Sequence, residues 1–147
     1  MANQKLSQLP AASALTGTEI VPIVQGGQTR STTAAAVADL RKGVWQTPTL
    51  NAPWANYGDV FASAGYRRDG GRVQLRGLVK AGAGGTAIFV LPTGYRPPTQ
   101  QIYTAVSDSS TQARVDVKTN GEVLVSQPGA GVLGWLSLDG VAFFTDS

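Results

Sequence analysis

The chain has 147 residues, of which 18 are glycine, 8 are proline and 14% are charged, and its net charge is +3. Because it has no cysteine and no histidine, it cannot form a disulfide, a thiolate or histidine metal site, or a Ser-His or Cys-His catalytic pair. No apolar run reaches the roughly 20 residues of a membrane span, and the N-terminus lacks a signal-peptide pattern, so we expect a soluble protein without membrane insertion. The abundance of turn residues favours an all-β class.

Residues 1–42 differ in composition from the rest of the chain. They are rich in Ala, Ser, Thr and Gly, and no aromatic residue precedes Trp45, so they hold too little apolar mass for a core of their own. Ile20–Val24 predicts a short extended segment that ends at Gly26-Gly27, and Pro22 favours an edge position.

A short helix is predicted after this segment. Ser31 or Thr32 is the expected N-cap of a helix from Thr33 to about Arg41, and Gly43 is its predicted stop. Because a helix of about ten residues is marginal in isolation, residues 1–42 are expected to be ordered by docking on another surface.

An aromatic-rich and proline-rich connector is predicted over residues 43–58, with the domain boundary near Gly43. Pro48 and Pro53 argue against a regular helix or a central strand in this stretch. Residues 59–147 form the predicted β head domain.

The run YRRDGGRVQLRGLV predicts a β-hairpin in which Tyr66–Arg68 and Arg72–Val79 are the strands and Gly70-Gly71 is the loop. In this register Tyr66 faces Leu75, and the side chains divide between two faces. One face carries Tyr66, Val73 and Leu75, and the other carries Arg67, Arg72 and Gln74.

Further hairpins and strands are predicted along the head domain. A three-residue loop at 119–121, with Gly121 in a left-handed conformation, places Val115, Val117, Val123 and Val125 on one face. Leu124 then joins Asp116 on the polar face. Thr86–Leu91 is a predicted apolar strand, and Trp135–Leu138 and Val141–Phe144 are predicted to pair about Asp139-Gly140.

The chemistry-bearing residues support no specific catalytic site. A glycosidase could use two carboxylates about 5–9.5 Å apart, but Asp69 and Asp139 are explained as turn residues, and Asp116 and Glu122 are predicted to lie on a solvated strand face. Arginines at 67, 68, 72, 76 and 96 could bind phosphates of a glycolipid or nucleic acid. These arginines are less dense than those of a nucleic-acid site and are not interleaved with aromatic residues. They are therefore expected to be exposed hairpin residues or to form inter-subunit pairs.

The aromatic residues have two possible roles. They are expected in the core or in subunit contacts, and a sugar-binding platform is the alternative. The residues concerned are Trp45, Trp54, Tyr57, Tyr95, Tyr103 and Trp135.

The opening LSQLPAASALTGTEIVPIVQGGQTRSTTAAAVA resembles the N-terminal segment of many tailed-bacteriophage fibre and virion appendage proteins. The runs YRRDGGRVQLRGLV, LPTGYRP, ARVDVKTNGEVLV and WLSLDGVAF resemble the C-terminal β domain of phage tail fibres and receptor-binding proteins. The resemblance implies a homotrimer in the virion, assembled in the host cytoplasm. Its N-terminus would dock on capsid, tail or adaptor proteins, and its head would contact a host surface glycan or protein. In contrast to a long fibre, the chain has no coiled-coil heptads and no repeats between these parts.

The sequence therefore predicts a mainly β protein: an N-terminal extended arm with a short helix, then an antiparallel β-sandwich or barrel-like head, as a trimer. Residues 1–42 are the predicted virion-attachment arm, with docking residues Leu6, Leu9, Leu15, Ile20, Val21, Ile23, Val24, Val37 and Leu40. The predicted receptor surface comprises Arg67, Arg72, Tyr95, Arg96 and Asn120. We expect no enzymatic activity, cofactor, metal or nucleic-acid partner. The alternatives are a head fibre or capsid-decoration protein and a carbohydrate-active depolymerase.

Overall fold

The computed structural model describes residues 11–108, 112–127 and 131–145. The chain divides into two compact units, residues 1–42 and residues 43–147.

The first unit contains a β-hairpin followed by a short helix. Strand β1 (Ile20–Gln25) pairs antiparallel with β2 (Gln28–Thr33) across a turn of two glycines with positive φ, and α1 (Ala34–Asp39) follows directly. The predicted extended segment is confirmed. Its partner β2 was not predicted, because QTRSTT carries no apolar residue to mark a strand.

The predicted helix bounds were wrong at both ends. Its N-cap is Thr33, whose hydroxyl accepts the N–H of Ala36 at 3.2 Å. The proposed caps at positions 31 and 32 are instead paired with β1, so the chain leaves the hairpin only at Thr33. The helix ends at Asp39 rather than near Arg41. Beyond it the Lys42 N–H donates to the Asp39 carbonyl at 2.9 Å, three residues back, instead of four as in an α-helix.

The second unit is built from short antiparallel strands, which confirms the predicted mainly β fold with a sandwich-like head. The strands form one four-stranded sheet in the order β7-β10-β9-β8 and two three-stranded sheets in the orders β11-β6-β3 and β12-β5-β4. Their bounds are β3 Ala55–Asn56, β4 Gly65–Asp69, β5 Arg72–Arg76, β6 Leu78–Lys80, β7 Ala87–Val90, β8 Gln101–Val106, β9 Gln112–Val117, β10 Glu122–Gln127, β11 Leu136–Ser137 and β12 Ala142–Phe144.

The inward faces of these sheets share one apolar core. Alternation along β9 and β10 sends every second side chain inward, and the four valines at 115, 117, 123 and 125 are all fully buried. The largest other fully buried side chains are those of Phe89, Ile88, Leu91, Leu136 and Leu138.

Two of the predicted hairpins form in the predicted register. In β4 and β5, Tyr66 pairs with Leu75 and Asp69 with Arg72. In β9 and β10, Val117 pairs with Val123 and Val115 with Val125, and Gly121 has a φ of +94°. The strand predicted over Thr86–Leu91 is also present, as β7.

The strand predicted over Arg72–Val79 is in fact two strands that belong to different sheets. Gly77, with a φ of +104°, separates β5 from β6. The prediction failed because alternation continues across the break and the glycine alone does not reveal the change of sheet.

The hairpin predicted about Asp139-Gly140 was also wrong. Strand β11 pairs with β6, and β12 pairs with β5, so the two do not pair with each other. Strands β11 and β12 run antiparallel to β6 and β5, which Gly77 separates. The residues between β11 and β12 form an excursion, a short turn that leaves this pairing. The Leu138 N–H donates to the Gly77 carbonyl at 2.8 Å, and the Gly77 N–H donates to the Asp139 carboxylate at 3.0 Å.

Candidate functional site

The first unit exposes its apolar side chains. None of residues 11–42 is buried. Of the predicted docking residues, Val21 and Ile23 are half-buried, and Leu6 and Leu9 lie outside the described residues. The others are exposed: Leu15, Ile20, Val24, Val37 and Leu40.

A shallow apolar groove lies between the hairpin and the helix of this unit. It has a volume of about 440 Å³, and its apolar walls include Ile23, Val37 and Leu40, with Arg30 at its side. An apolar surface of this kind is suited to contact with another protein.

A carboxylate-centred turn orders the chain before β1. The Glu19 carboxylate accepts the N–H groups of Thr16 and Gly17 at 2.6 and 2.8 Å, and the Thr16 hydroxyl at 2.8 Å. These hydrogen bonds, led by that of the Thr16 N–H, lower the pKa of Glu19 to about 2. The Glu19 carbonyl in turn accepts the N–H of Ala34 at the start of α1, at 2.9 Å. Local polar contacts therefore shape a unit whose described residues form no core.

Four of the five residues predicted for the receptor surface make structural contacts. The Arg96 Nε donates to the Leu91 carbonyl at 2.8 Å, and the Tyr95 ring packs edge-on against Tyr66 with centroids 4.9 Å apart. Arg67 is half-buried and hydrogen-bonded within its sheet. Asn120 is exposed, and its Oδ1 accepts the N–H of Glu122 at 3.0 Å. Arg72 is exposed.

The structure brings the loop of Tyr95 and Arg96 beside two hairpin tips. The Arg68 Nη1 donates to the Gly94 carbonyl at 3.0 Å, which ties the loop to the β4–β5 hairpin. At the β9–β10 tip, a methyl group on Gly121 would lie 2.7 Å from the Arg96 Nε. This loop and the two hairpin tips therefore lie together at one end of the head.

The outer face of the β12-β5-β4 sheet gathers cationic side chains. Arg72, Gln74 and Arg76 occupy alternate positions of β5, and Arg67 lies opposite Gln74 on β4. Phe144 of β12 lies opposite Arg72. We call Arg67, Arg72, Gln74, Arg76 and Phe144, together with Trp45, the arginine face.

The Trp45 ring contacts two guanidinium groups of the arginine face. The Arg67 and Arg76 guanidinium carbons lie 4.7 and 4.3 Å from the centroid of its ring, within cation–π distance. The bridge between Gln46 and Tyr66 holds the tryptophan there. Neither Trp45 nor Arg76 was in the predicted receptor surface. Alternation along β5 could have added Arg76, whereas no local signal places Trp45.

The cations of this face exceed its anions. Arg67 donates to the Gln74 Oε1 at 3.1 and 2.9 Å and lies 3.2 Å from the Asp69 carboxylate. Within the described residues, no side-chain hydrogen bond or ion pair involves Arg72, and the buried Arg76 Nε has no hydrogen-bond acceptor. Two arginines are therefore available to an external anion.

Asp116 was predicted to lie on a solvated strand face, and this prediction was wrong. It is only 4% exposed, because it lies on the inner strand β9 between Ile102 and Leu124 of the flanking strands. Leu124 itself is half-buried. The carboxylate accepts Arg114 at 2.7 and 3.0 Å, and Gln100 and Ser126 at 3.0 Å each.

The aromatic residues divide between core and surface. Trp54 is buried and donates its indole N–H to the Thr86 hydroxyl at 3.0 Å, and Tyr103 donates to the Ala142 carbonyl at 2.9 Å. Tyr57 and Trp135, with Phe61 and Leu78, line an apolar recess of about 200 Å³.

The described part of the chain contains no group of three or more acidic residues placed to hold a metal ion. Among its helices, none is both long enough and apolar enough to cross a bilayer.

Comparisons with known proteins concern the fold. No protein-family model matches this chain, and no curated protein matches it. A similar solved structure is the receptor binding protein (gp15) of Listeria phage PSA, with a TM-score of 0.59 and 23% sequence identity over 78% of this chain and 72% of that chain. At this identity the similarity establishes a shared fold.

Proposed function

We propose that this chain is a structural bacteriophage virion protein, a short homotrimeric tail fibre that adheres to the host cell surface. The observation that carries the proposal is the fold shared with a phage receptor binding protein over most of both chains. The N-terminal and C-terminal sequence resemblances to phage fibres, in that order along the chain, support the same assignment.

Residues 1–42 are proposed to attach the fibre to the particle. In the described part of this segment no side chain is buried, and exposed aliphatic residues surround a groove of about 440 Å³. Contact with a capsid, tail or adaptor protein would remove this apolar surface from water.

Residues 59–147 are proposed to form the adhesive head, which binds a host glycan or protein without catalysis. The paired and buried state of Asp116 supports this role over that of a depolymerase, because a carboxylate held by Arg114 is not free to act as a general acid or base. The exposed ends of the hairpins offer the contact surface.

Outward-facing apolar residues support assembly into a trimer. Ile102 and Val106 lie on the outer face of edge strand β8 and are 60% and 54% exposed. Contact between symmetry-related copies would cover such a surface.

A head fibre or capsid-decoration protein is the second candidate, and the short connector favours it. The second unit begins at residue 43, directly after the proposed arm, and residues 43–58 contribute strand β3 and the buried Trp54 to it, so the chain has no separate shaft segment between arm and head.

The test is to localise the protein on intact particles by labelling, and to measure binding of the purified full chain to host cells. We expect density at the tail and saturable cell binding. Density on the capsid without cell binding would replace the tail fibre with a decoration protein. Release of reducing sugar from host polysaccharide would instead contradict the binding-only role.

A further inference from the structure

We propose that the arginine face binds an anionic group, phosphate or carboxylate, carried on a charged polysaccharide of the host surface. This inference rests on the proposed function, and it adds the chemistry of the receptor and the residues that contact it.

The geometry of the face suits an oxyanion. Arg72 and Arg76 lie two residues apart on β5, and strand alternation sends both side chains outward on the same side of the sheet. A guanidinium group presents its N–H donors in a planar fork that matches two oxygens of a carboxylate or phosphate.

The positive charges of the arginine face are only partly neutralised by acidic side chains. Asp69 is its only acidic neighbour among the described residues of the β4–β5 hairpin, and it pairs with Arg67. The Trp45 ring covers the guanidinium faces of Arg67 and Arg76 but supplies no acceptor for the buried Arg76 Nε. An incoming oxyanion could accept hydrogen bonds from Arg72 and from the accessible nitrogens of Arg76.

The surroundings of Arg72 favour a sugar over an isolated ion. Phe144, directly opposite Arg72 on β12, is 62% exposed and offers a flat apolar surface for the C–H face of a sugar ring. Beside it lies a recess of about 180 Å³ lined by Arg72, Gln74 and Gly140. The polar groups of the recess can hydrogen-bond sugar hydroxyls.

Nucleic acid fits this face less well than a charged glycan. Single-stranded nucleic acid is bound on several aromatic platforms along a cationic groove. Here the Trp45 ring is already flanked by Arg67 and Arg76, which leaves Phe144 as the exposed ring of the face.

The experiment compares the full-length chain with two single variants that each remove one positive charge. Arg72→Gln changes the arginine face at an exposed side chain, and Lys118→Gln changes a half-exposed residue at the β9–β10 hairpin. Biolayer interferometry measures binding to immobilised phosphomannan, alginate, neutral dextran and single-stranded DNA, at low and at high NaCl. Urea denaturation verifies that both variants are folded.

We expect salt-sensitive binding to phosphomannan, alginate or both, and no binding to dextran. Preference for one polymer would identify the anion as phosphate or as carboxylate. Arg72→Gln should weaken this binding about tenfold, the loss expected for one charge-assisted hydrogen-bonding partner. Lys118→Gln should change it less than about twofold, because Lys118 is already paired with Glu122 and its hairpin belongs to a different sheet from the arginine face.

Equal loss in the two variants, absence of binding to both anionic polymers, or tighter Arg72-dependent binding to DNA would overturn the inference. Cell binding separates this result from the proposed function. If the wild-type chain binds host cells and Arg72→Gln binds them equally well, the arginine face is not the receptor site although the fibre function stands. If the wild-type chain binds no cells, the fibre function itself fails.

Discussion

Asp116 is a buried acidic residue whose ionisation is linked to the stability of the head. Burial alone would raise the pKa of its carboxyl group, but hydrogen bonds from Arg114, Ser126 and Gln100 and the charge of Arg114 outweigh that effect. The pKa in the folded state therefore lies below the ordinary value of 3.8.

We expect Asp116→Asn to destabilise the head at neutral pH by about 1–3 kcal/mol, because the charge-assisted hydrogen bonds weaken and the donors around residue 116 lose their anionic partner. A lowered pKa in the folded state means that the carboxylate stabilises the protein fully above about pH 3.8 and loses this effect as the pH falls through the lowered pKa. The difference in free energy of unfolding between wild type and variant should therefore narrow in acid. Urea denaturation followed by tryptophan fluorescence, repeated from pH 7 to pH 2.5, measures it.

Glu122→Gln is the matched control, since it makes the same chemical change on the same hairpin. The Glu122 side chain is 34% exposed, and its partner Lys118 is 37% exposed, so solvent screens the ion pair. We expect a smaller loss than for Asp116→Asn. Equal losses in the two variants would contradict a special role for the buried carboxylate.

Single residues also show where sequence reasoning reaches its limit. The alternation of Arg72 and Gln74 correctly predicted the cationic outer face of the sheet. The same alternation placed Asp116 on the polar face but could not show that Arg114, Ser126 and Gln100 would cover it. Trp45 reaches the arginine face through a single bridge between Gln46 and Tyr66, and no local pattern encodes that pairing.

At the scale of elements, Gly77 is the point at which one strand divides between two sheets. Its φ of +104° is unfavourable for residues with a side chain. A methyl group added there would lie 2.5 Å from the Ser63 carbonyl oxygen. The position therefore excludes a side chain both by conformation and by space.

We expect Gly77→Ala to lower the free energy of unfolding by about 3 kcal/mol or more, because backbone strain of about 1–2 kcal/mol adds to the clash with Ser63. Gly140→Ala tests strain alone, since Gly140 has a φ of +90° but nothing within 4 Å of an added methyl group. That variant should lose only about 1–2 kcal/mol. Chemical denaturation of both proteins provides the comparison, and a milder effect at Gly77 than at Gly140 would refute the close approach.

Turn chemistry explains which elements could be predicted. The Gly70-Gly71 and Thr119-Asn120-Gly121 loops set the register of their own flanking strands, so a short window of sequence contained the necessary information. The excursion at Asp139-Gly140 depends instead on Gly77, which is 62 residues away from Asp139 along the chain. Contacts at such a separation have no local signature in the sequence.

At the scale of the whole molecule, the buried residues of the described chain all lie in the second unit. Most of the buried apolar residues form one cluster that runs from Trp54 to Phe143. In the first unit, the six-residue helix α1 contains no buried residue. The two units should therefore differ in their ability to fold alone.

We expect residues 43–147 to fold without the arm, with a cooperative thermal transition within about 5 °C of that of the full chain, since a shift of this size corresponds to roughly 1 kcal/mol for a domain of about 100 residues. Residues 1–42 alone should show no cooperative transition by circular dichroism, because a short helix without a packed face is marginal in water. Both measurements are made at equal protomer concentration, because assembly raises apparent stability by mass action. A head that fails to fold without the arm would show that its core is completed by residues 1–42, and the arm could then no longer be described as a separate docking segment.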